Sequence, residues 1–565
     1  MGSSRSCRPN HRGHGEASFL ADYHQGPADP AVLQANCVVR SLDSSIPAAF
    51  AIPAQKLYLG PGPCESFLPN GALTSLAGNV DPHHEVAVAD LILVQDRVRS
   101  TVERLLRDLR PDVVGLSVMT FQRRTARRII DLVRRLRPEA RVVVGGYDPS
   151  LAPEAYTDRS RGGADFIVRG EGEVTFRDLL RAIEAGGGYE TIAGLGYRDG
   201  DRFLHNPDRP VNHLDGGELR LPKRGARVLG GYTLLGKPVD VIETSRGCTF
   251  DCSFCSIIAM RGRNFHTYDF ARVLEDIRDA RRHGARALFI VDDNITLNVA
   301  RFEALCRAII DAGLDTLDYL VQAMTSSIAN HGRSLAPLMR RAGFRYVFLG
   351  IENILEDDLE FLRAASKNEE RRDGHVVGNA TLRAVELVRR NKMYVVGGLI
   401  VGNPDDTRES IEANLEFARR YVDWPYIQHP TPYPGTPMTR EFVEGKLVIN
   451  ERLEEYDGTT AVVRSRHLPA DEIEFLRWRA ERWMKVRHVP AAFRQSPLWV
   501  LRHGHRMMAH TFRGSTLRSF FGLEDARAVF ERYRAIRNVE RDYLREEEAE
   551  RGPAGSTLGA RCAEM

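Results

Sequence analysis

Arg246-Gly247-Cys248-Thr249-Phe250-Asp251-Cys252-Ser253-Phe254-Cys255 gathers three of the eight cysteines into one short stretch; Cys7, Cys37, Cys64, Cys306 and Cys562 are scattered. A chain of 565 residues with no secretory hydrophobic leader needs no disulfide framework. The close trio therefore points to a metal or redox site in a reducing compartment. Thiolates suit iron–sulfur clusters or zinc. A structural zinc takes four protein ligands, and no nearby Cys or His completes a set; Met260 and His266 are poor substitutes. Three thiolates on one open loop suit a four-iron cluster whose remaining iron is left for a substrate or cofactor. A zinc knuckle is the alternative reading.

The segment directly follows an apolar run, Val239 to Glu243, which opens a repeating series. Further strand-like runs are Ala287 to Val291, Tyr319 to Gln322, Tyr346 to Gly350, Tyr394 to Val401 and Tyr426 to His429. Helices intervene, such as Tyr268 to His283, stopped by Gly284. Six strand–helix units ending at a Pro-rich run through Pro437 predict a partial (β/α)6 barrel, whose chemistry collects at the carboxyl-end loops.

Upstream, a first strand is read at Lys56 to Leu59, then Glu85 to Asp90, Asp112 to Ser117, Arg141 to Gly146 and Asp165 to Val168. Between the third and fourth lies Thr125 to Leu136, with apolar residues at helical spacing. Val-rich strands alternating with helices predict a doubly wound parallel sheet covered on both faces. Ligands bind outside the carboxyl ends of such strands, where this chain carries Ser117 and Thr120, then Gly145-Gly146, then Gly170-Glu171-Gly172-Glu173. The fold class is thus α/β: a doubly wound amino-terminal domain, a partial barrel and a mostly helical carboxyl-terminal domain. The boundaries fall at 1–53 for a tail, 54–200 for the first domain, 201–236 for a linker, 237–440 for the barrel and 441–565 for the helical domain.

Lys and Arg number 79 against 76 Asp and Glu, a formal charge of +3, which argues against a nucleic-acid binder driven by global charge. No apolar run approaches the ~18–20 residues of a membrane span, and a cytoplasmic location is expected. One local asymmetry stands out. Between Arg477 and Arg518 there are ten Lys or Arg and one acid, Glu481, interleaved with Trp478, Trp483, Phe493, Trp499 and Phe512. A solvated helical face, a contact with anionic lipid at a membrane surface and an acidic-substrate site are the three readings of that stretch.

The cysteine segment resembles the C-x-x-x-C-x-aromatic-C motif of the radical S-adenosylmethionine superfamily. Phe254 stands where that family has an aromatic whose backbone contacts adenine. Gly398-Leu399-Ile400-Val401-Gly402 resembles its G-x-I-x-G strand along the adenine, with Gly398, Ile400 and Gly402 as the motif positions. The family's usual Gly-Gly-Glu after the second barrel strand is missing; Val291-Asp292-Asp293-Asn294 stands there. The acidic pair Asp292/Asp293 is assigned to the methionine ammonium, and Glu352 in Gly350-Ile351-Glu352 to a cofactor hydrogen bond. Helix capping is the competing role for these acids.

The amino-terminal pattern, with Pro69-Asn70-Gly71, is similar to the cobalamin-binding domain found before many radical S-adenosylmethionine enzymes. The resemblance implies a corrin between sheet and barrel mouth, surrounded by Ser117, Thr120, Gly145, Gly146, Gly170 and Glu171. The cobalt-ligating D-x-H-x-x-G is absent: Asp81-Pro82-His83 only begins it. Cobalamin without a protein histidine beneath cobalt is therefore expected. Tyr426, His429 and Tyr433 either face substrate or pack locally.

The resemblance implies three cofactors: a 4Fe-4S cluster held by Cys248, Cys252 and Cys255, S-adenosylmethionine and cobalamin. It also implies an external electron donor such as flavodoxin or ferredoxin. The leading activity is C-methylation of an unactivated carbon in a lipid-like or natural-product substrate, through a deoxyadenosyl radical and methylcobalamin. A cyclase, coupling or rearrangement enzyme without net methyl transfer is the first alternative, and a non-catalytic cobalamin or redox sensor the second. No protein acid or base is assigned.

Overall fold

Uninterrupted β-branched runs can be buried on both faces, and they form the centres of two parallel sheets. In a computed structural model, which describes residues 48–52, 68–211, 214, 217–495, 497–540 and 544, the described residues form one compact unit. The amino-terminal sheet has seven strands. Their spatial order is Val86–Asp90, Ala48–Ile52, Val113–Ser117, Arg141–Gly145, Phe166–Val168, Leu195–Asp199 and Arg202–His205. The first five are parallel and the last two antiparallel. Successive side chains point to opposite faces. Val142 and Val144 accordingly join one core with Ile129, Ile130 and Val133 of the helix Arg123–Leu136, while Val143 joins a second core with Leu179 and Leu180.

The second sheet contains six parallel strands in sequence order: Lys237–Ile242, Ala287–Ile290, Asp318–Met324, Phe344–Glu352, Tyr394–Ile400 and Trp424–Gln428. A short strand, Thr233–Leu234, adds to the first antiparallel. Helices cover its outside, as the partial-barrel reading expects. Phe270–Arg282 starts at Asp269, whose carboxylate accepts from the Ala271 amide, and buries Val273, Ile277 and Ala280. Full burial of a Val or Ile side chain contributes about 1.5–3 kcal/mol. Gly284 ends this segment at φ +92°, a conformation other residues rarely take.

Three stretches differ from the sequence reading. Ala48–Ile52, taken as part of the tail, is a strand paired with both Val86–Asp90 and Val113–Ser117. Lys56 to Leu59, read as the first strand, lies outside the described residues. The segment read as a linker from 201 begins inside an antiparallel hairpin, Leu195–Asp199 with Arg202–His205. That segment also supplies Arg224, a buried guanidinium that bonds Asp240 (3.1 Å), Asp276 (2.6 Å) and Asp279 (2.9 Å) on the barrel. The helical expectation for 441–565 holds for Ala470–Gln495, Pro497–Thr511, Leu517–Phe520 and Ala526–Glu540. Residues 446–469 carry a Val448–Val463 bridge and one short 3-10 turn.

Leu68 and Ile92 of the first domain pack with Tyr232, Val241, Phe289 and Leu320 of the linker and barrel. The carboxyl edge of one sheet is thereby brought over the mouth of the other.

Candidate functional site

The cysteine loop is rooted by Asp292, at the end of the second barrel strand. Its buried carboxylate accepts from the Thr244 amide (2.6 Å), the Thr244 hydroxyl (2.5 Å) and the Ser245 hydroxyl (2.6 Å). Asp293 accepts from the Gly247 amide (2.7 Å), lies 3.2 Å from Arg261 Nη1 and lines a cavity. Of the acidic pair, Asp293 is the member on the cavity, and Asp292 anchors the loop. Gly247 sits at φ +90°, and a Cβ there would fall 2.3 Å from Asn264 Oδ1. That position needs glycine for the loop to turn.

Cys252 is buried; Cys248 and Cys255 are half-buried. Asn294 Nδ2 approaches Cys248 Sγ at 3.8 Å. Burial pushes the Cys252 thiol up to about 12 and raises that of Cys255, with the Lys367 charge opposing the rise at both. Three sulfurs on one loop, none of them paired in a disulfide, are a donor set that fits an iron–sulfur cluster. Cys306, the other described cysteine, is buried in the helix Val299–Asp311, within the main barrel core.

Lys367 has no mark in the sequence. Its ammonium donates to Glu352 Oε1 at 2.8 Å and sits 5.9 Å from the centre of the Phe254 ring. Burial opposes the charge of the Lys367 ammonium, but the Glu352 carboxylate and the sulfurs of Cys252 and Cys255 outweigh it, and Lys367 holds its proton far more tightly than usual. Glu352 itself occupies φ +60° at a bulge of the fourth barrel strand.

The cavity measures about 1010 Å³. Ser117, Gly145, Gly146, Gly170 and Glu171 line it from the first sheet; Phe254, Cys255, Asp293, Glu352, Gly398 and Ile400 line it from the barrel. Its volume is at the upper end for a ligand pocket. Thr120 is buried at the start of a short 3-10 helix, off the cavity wall. Gly402 also lies off the wall: at φ +102° a Cβ would meet Ile473 of the helix Ala470–Gln495 at 2.9 Å, and its amide donates to Asp406. Among the described residues no histidine lines the cavity. Tyr426 and Tyr433 do. His429 instead packs: its Nδ1–H faces the Val401 carbonyl (3.1 Å), its Nε2 accepts from Arg477 (3.0 Å), and burial beside Arg477 keeps it neutral. Arg513, Tyr533 and Arg537 close the cavity from the carboxyl-terminal region.

Arg246 ties the two domains together. It is 5% exposed. Its guanidinium bonds Glu173 (2.5 Å) and Glu243 (2.8 Å) and lies 3.7 Å from Glu171. Ser75 donates a further 2.8 Å bond to Glu173. Burial opposes ionisation of Glu173, but Arg246 overcomes it and holds the carboxyl at about 2. At Glu243 burial wins, and the carboxyl is raised. A depressed carboxyl stabilises the fold fully above its unfolded value near 4.5 and loses that contribution as pH falls toward its folded value. The stability difference between wild type and Glu173→Gln is therefore expected to shrink as pH drops from about 4.5 to about 2, measured by denaturant unfolding at stepped pH.

A doubly wound sheet facing a six-stranded half-barrel, with a cysteine trio after the first barrel strand, defines a cobalamin-binding radical S-adenosylmethionine protein. Comparison with known families agrees: the B12 binding domain matches residues 68–180 and the Radical SAM superfamily matches residues 242–418. The chain thus carries both domains, and the cofactors these match are cobalamin, a 4Fe-4S cluster and S-adenosylmethionine.

It is 28% identical to an uncharacterized methyltransferase of Pyrococcus horikoshii, over 72% of this chain and 85% of the relative. It is 27% identical to the hopanoid C-3 methylase of Methylococcus capsulatus, over 76% and 78%. An anaerobic magnesium-protoporphyrin IX monomethyl ester cyclase of Cereibacter sphaeroides is 26% identical, over 71% and 63%. The fold matches the radical S-adenosylmethionine methyltransferase TsrM of Kitasatospora setae, solved with cobalamin and a [4Fe-4S] cluster, with a TM-score of 0.56 at 22% identity, covering 72% of this chain and 76% of that one. Among the described residues no helix is long and apolar enough to cross a membrane.

Proposed function

We propose that the enzyme methylates an unactivated carbon of a lipid or natural-product substrate held between the two sheets. When bound, the cluster with S-adenosylmethionine supplies hydrogen abstraction, and cobalamin supplies the methyl group. Every other contribution belongs to the chain's own residues, which position and shield. Cys248, Cys252 and Cys255 hold three corners of the cluster. Asp293 holds the methionine ammonium by a charge-assisted bond. Glu352, oriented by Lys367, accepts a cofactor hydrogen bond. Gly398 and Ile400 lie along the adenine, with the Phe254 backbone at its edge. Ser117, Gly145, Gly146, Gly170 and Glu171 surround the corrin and its tail. Arg513, Tyr533 and Arg537 close the third wall, so the carboxyl-terminal region from about 441 shapes the substrate pocket and keeps water out.

The observation that carries this reading is a cavity lined from both carboxyl edges. Its test is anaerobic reconstitution with iron, sulfide, cobalamin and a reductant, followed by mass spectrometry of candidate substrates. A gain of one methylene unit per event supports methylation. A loss of two hydrogens supports ring closure, the second reading, which the cyclase relative favours.

Gly398→Val offers a further check. A Cβ at Gly398 would meet the Phe348 ring at 2.9 Å. The added bulk is expected to narrow the adenine face and weaken S-adenosylmethionine binding at least about tenfold, or about 1.4 kcal/mol. The overpacking itself costs about 1–3 kcal/mol of stability. Equilibrium dialysis and chemical denaturation separate the two.

A further inference from the structure

Near the carboxyl end, large apolar side chains point into solvent. In the helix Pro497–Thr511, Leu498, Leu501, Arg502, His505 and Ala509 are all exposed, and their spacing of three or four puts them on one face. Leu498 is 81% exposed. Beyond the turn at Gly514, Leu517 and Phe521 are 80% and 76% exposed. Trp483, also exposed, meets Phe512 edge-on at 6.0 Å and links the preceding helix to this turn. Apolar residues gathered in this way mark an interaction surface rather than a solvated face.

The charge around them selects the partner. The ten-to-one excess of Lys and Arg between Arg477 and Arg518 includes Arg487, Arg494, Arg502 and Arg518, all exposed. Aliphatic and aromatic side chains interleaved with arginine match the boundary between acyl chains and anionic headgroups: the rings and leucines enter the apolar zone while guanidinium groups stay at the phosphates.

We infer that this helical hairpin is a docking surface for anionic lipid bilayers. The inference stands on exposure and charge alone. Only its use in substrate delivery rests on the proposed lipid substrate: Arg513, in the same turn as Phe512, lines the cavity, so the surface and the pocket wall share one piece of chain.

Cosedimentation of the full-length reconstituted enzyme with vesicles tests it, without substrate or turnover. Binding to phosphatidylcholine vesicles containing phosphatidylglycerol is expected to exceed binding to phosphatidylcholine alone at least tenfold, and to fall as salt rises. The triple variant Leu498→Asp, Leu501→Asp, Phe521→Asp is expected to lose that binding at least tenfold while its melting temperature and its S-adenosylmethionine cleavage stay at wild-type values. Equal weak binding to both vesicle types, or undiminished binding by the triple variant, overturns the inference. So does light scattering that shows a wild-type dimer and a monomeric triple variant, which would give the patch to a second copy of the chain. Failure here leaves the methylation reading intact, and absence of methylated product leaves the docking surface intact.

Discussion

Cys252→Ala is expected to abolish cluster assembly and, with it, reductive cleavage of S-adenosylmethionine. Cys252 is the buried member of the trio, and its backbone carbonyl accepts from the Cys255 amide at 3.1 Å. Removing this thiol leaves two ligands on a loop meant to hold three corners. The rate of deoxyadenosine formation should fall at least about 10³-fold, about 4 kcal/mol of lost transition-state stabilisation, together with bound iron and sulfide. The fold should survive, because the loop is rooted independently by Asp292 on Thr244 and Ser245. Circular dichroism and melting close to wild type, alongside lost iron, would separate loss of the cluster from unfolding. Wild-type cleavage by this variant would contradict the assignment of the three cysteines.

Arg246→Met should be the most damaging change away from the cysteines themselves. It removes one buried cation and strands Glu173, Glu243 and Glu171 around an apolar side chain. Breaking a buried pair by removing one partner typically costs about 3–5 kcal/mol, because the remaining charge has lost its compensation. The cost should be visible as a lower denaturation midpoint and as weaker cobalamin retention, since Arg246, Glu171 and Glu173 all line the cavity. Pairing the change with Glu173→Gln removes the most strongly coupled acid and should recover part of the loss. A double-mutant cycle reads that recovery directly. Additive losses would mean that Glu173 does not depend on Arg246.

Most of the architecture was legible because its signals are local and periodic. The runs at Val113–Ser117 and Arg141–Gly145 are too apolar for an exposed strand and too short for a helix. The barrel strands repeat the pattern with helices between. Ala48–Ile52 was not legible, because a short apolar run gains its identity only from the two strands it pairs with. Two hairpins carry a local signal in the sequence. Gly200-Asp201 and Asp373-Gly374 are turn dipeptides favoured between antiparallel strands, and both sit between paired strands.

The candidate site divides in the same way. Cysteine spacing and glycine-bearing strand ends can be read along the chain. The choice between Asp292 and Asp293 cannot, because it depends on which carboxylate finds Thr244 and Ser245. Lys367 lies in a polar stretch, Ala365 to Arg372, like many surface lysines; only the fold buries it beside Glu352 and the cysteines. Arg246 stands at the head of the cysteine segment, but its role as an interdomain tie needs Glu173 from 73 residues earlier.

The most direct measurement is Mössbauer and electron paramagnetic resonance spectroscopy of oxygen-free, reconstituted protein, with and without S-adenosylmethionine. A four-iron cluster whose reduced signal changes when S-adenosylmethionine is added is the expected result, since one iron without a protein ligand is then open to it. Zinc in tetrahedral coordination, filled entirely by protein donors and indifferent to S-adenosylmethionine, would contradict it.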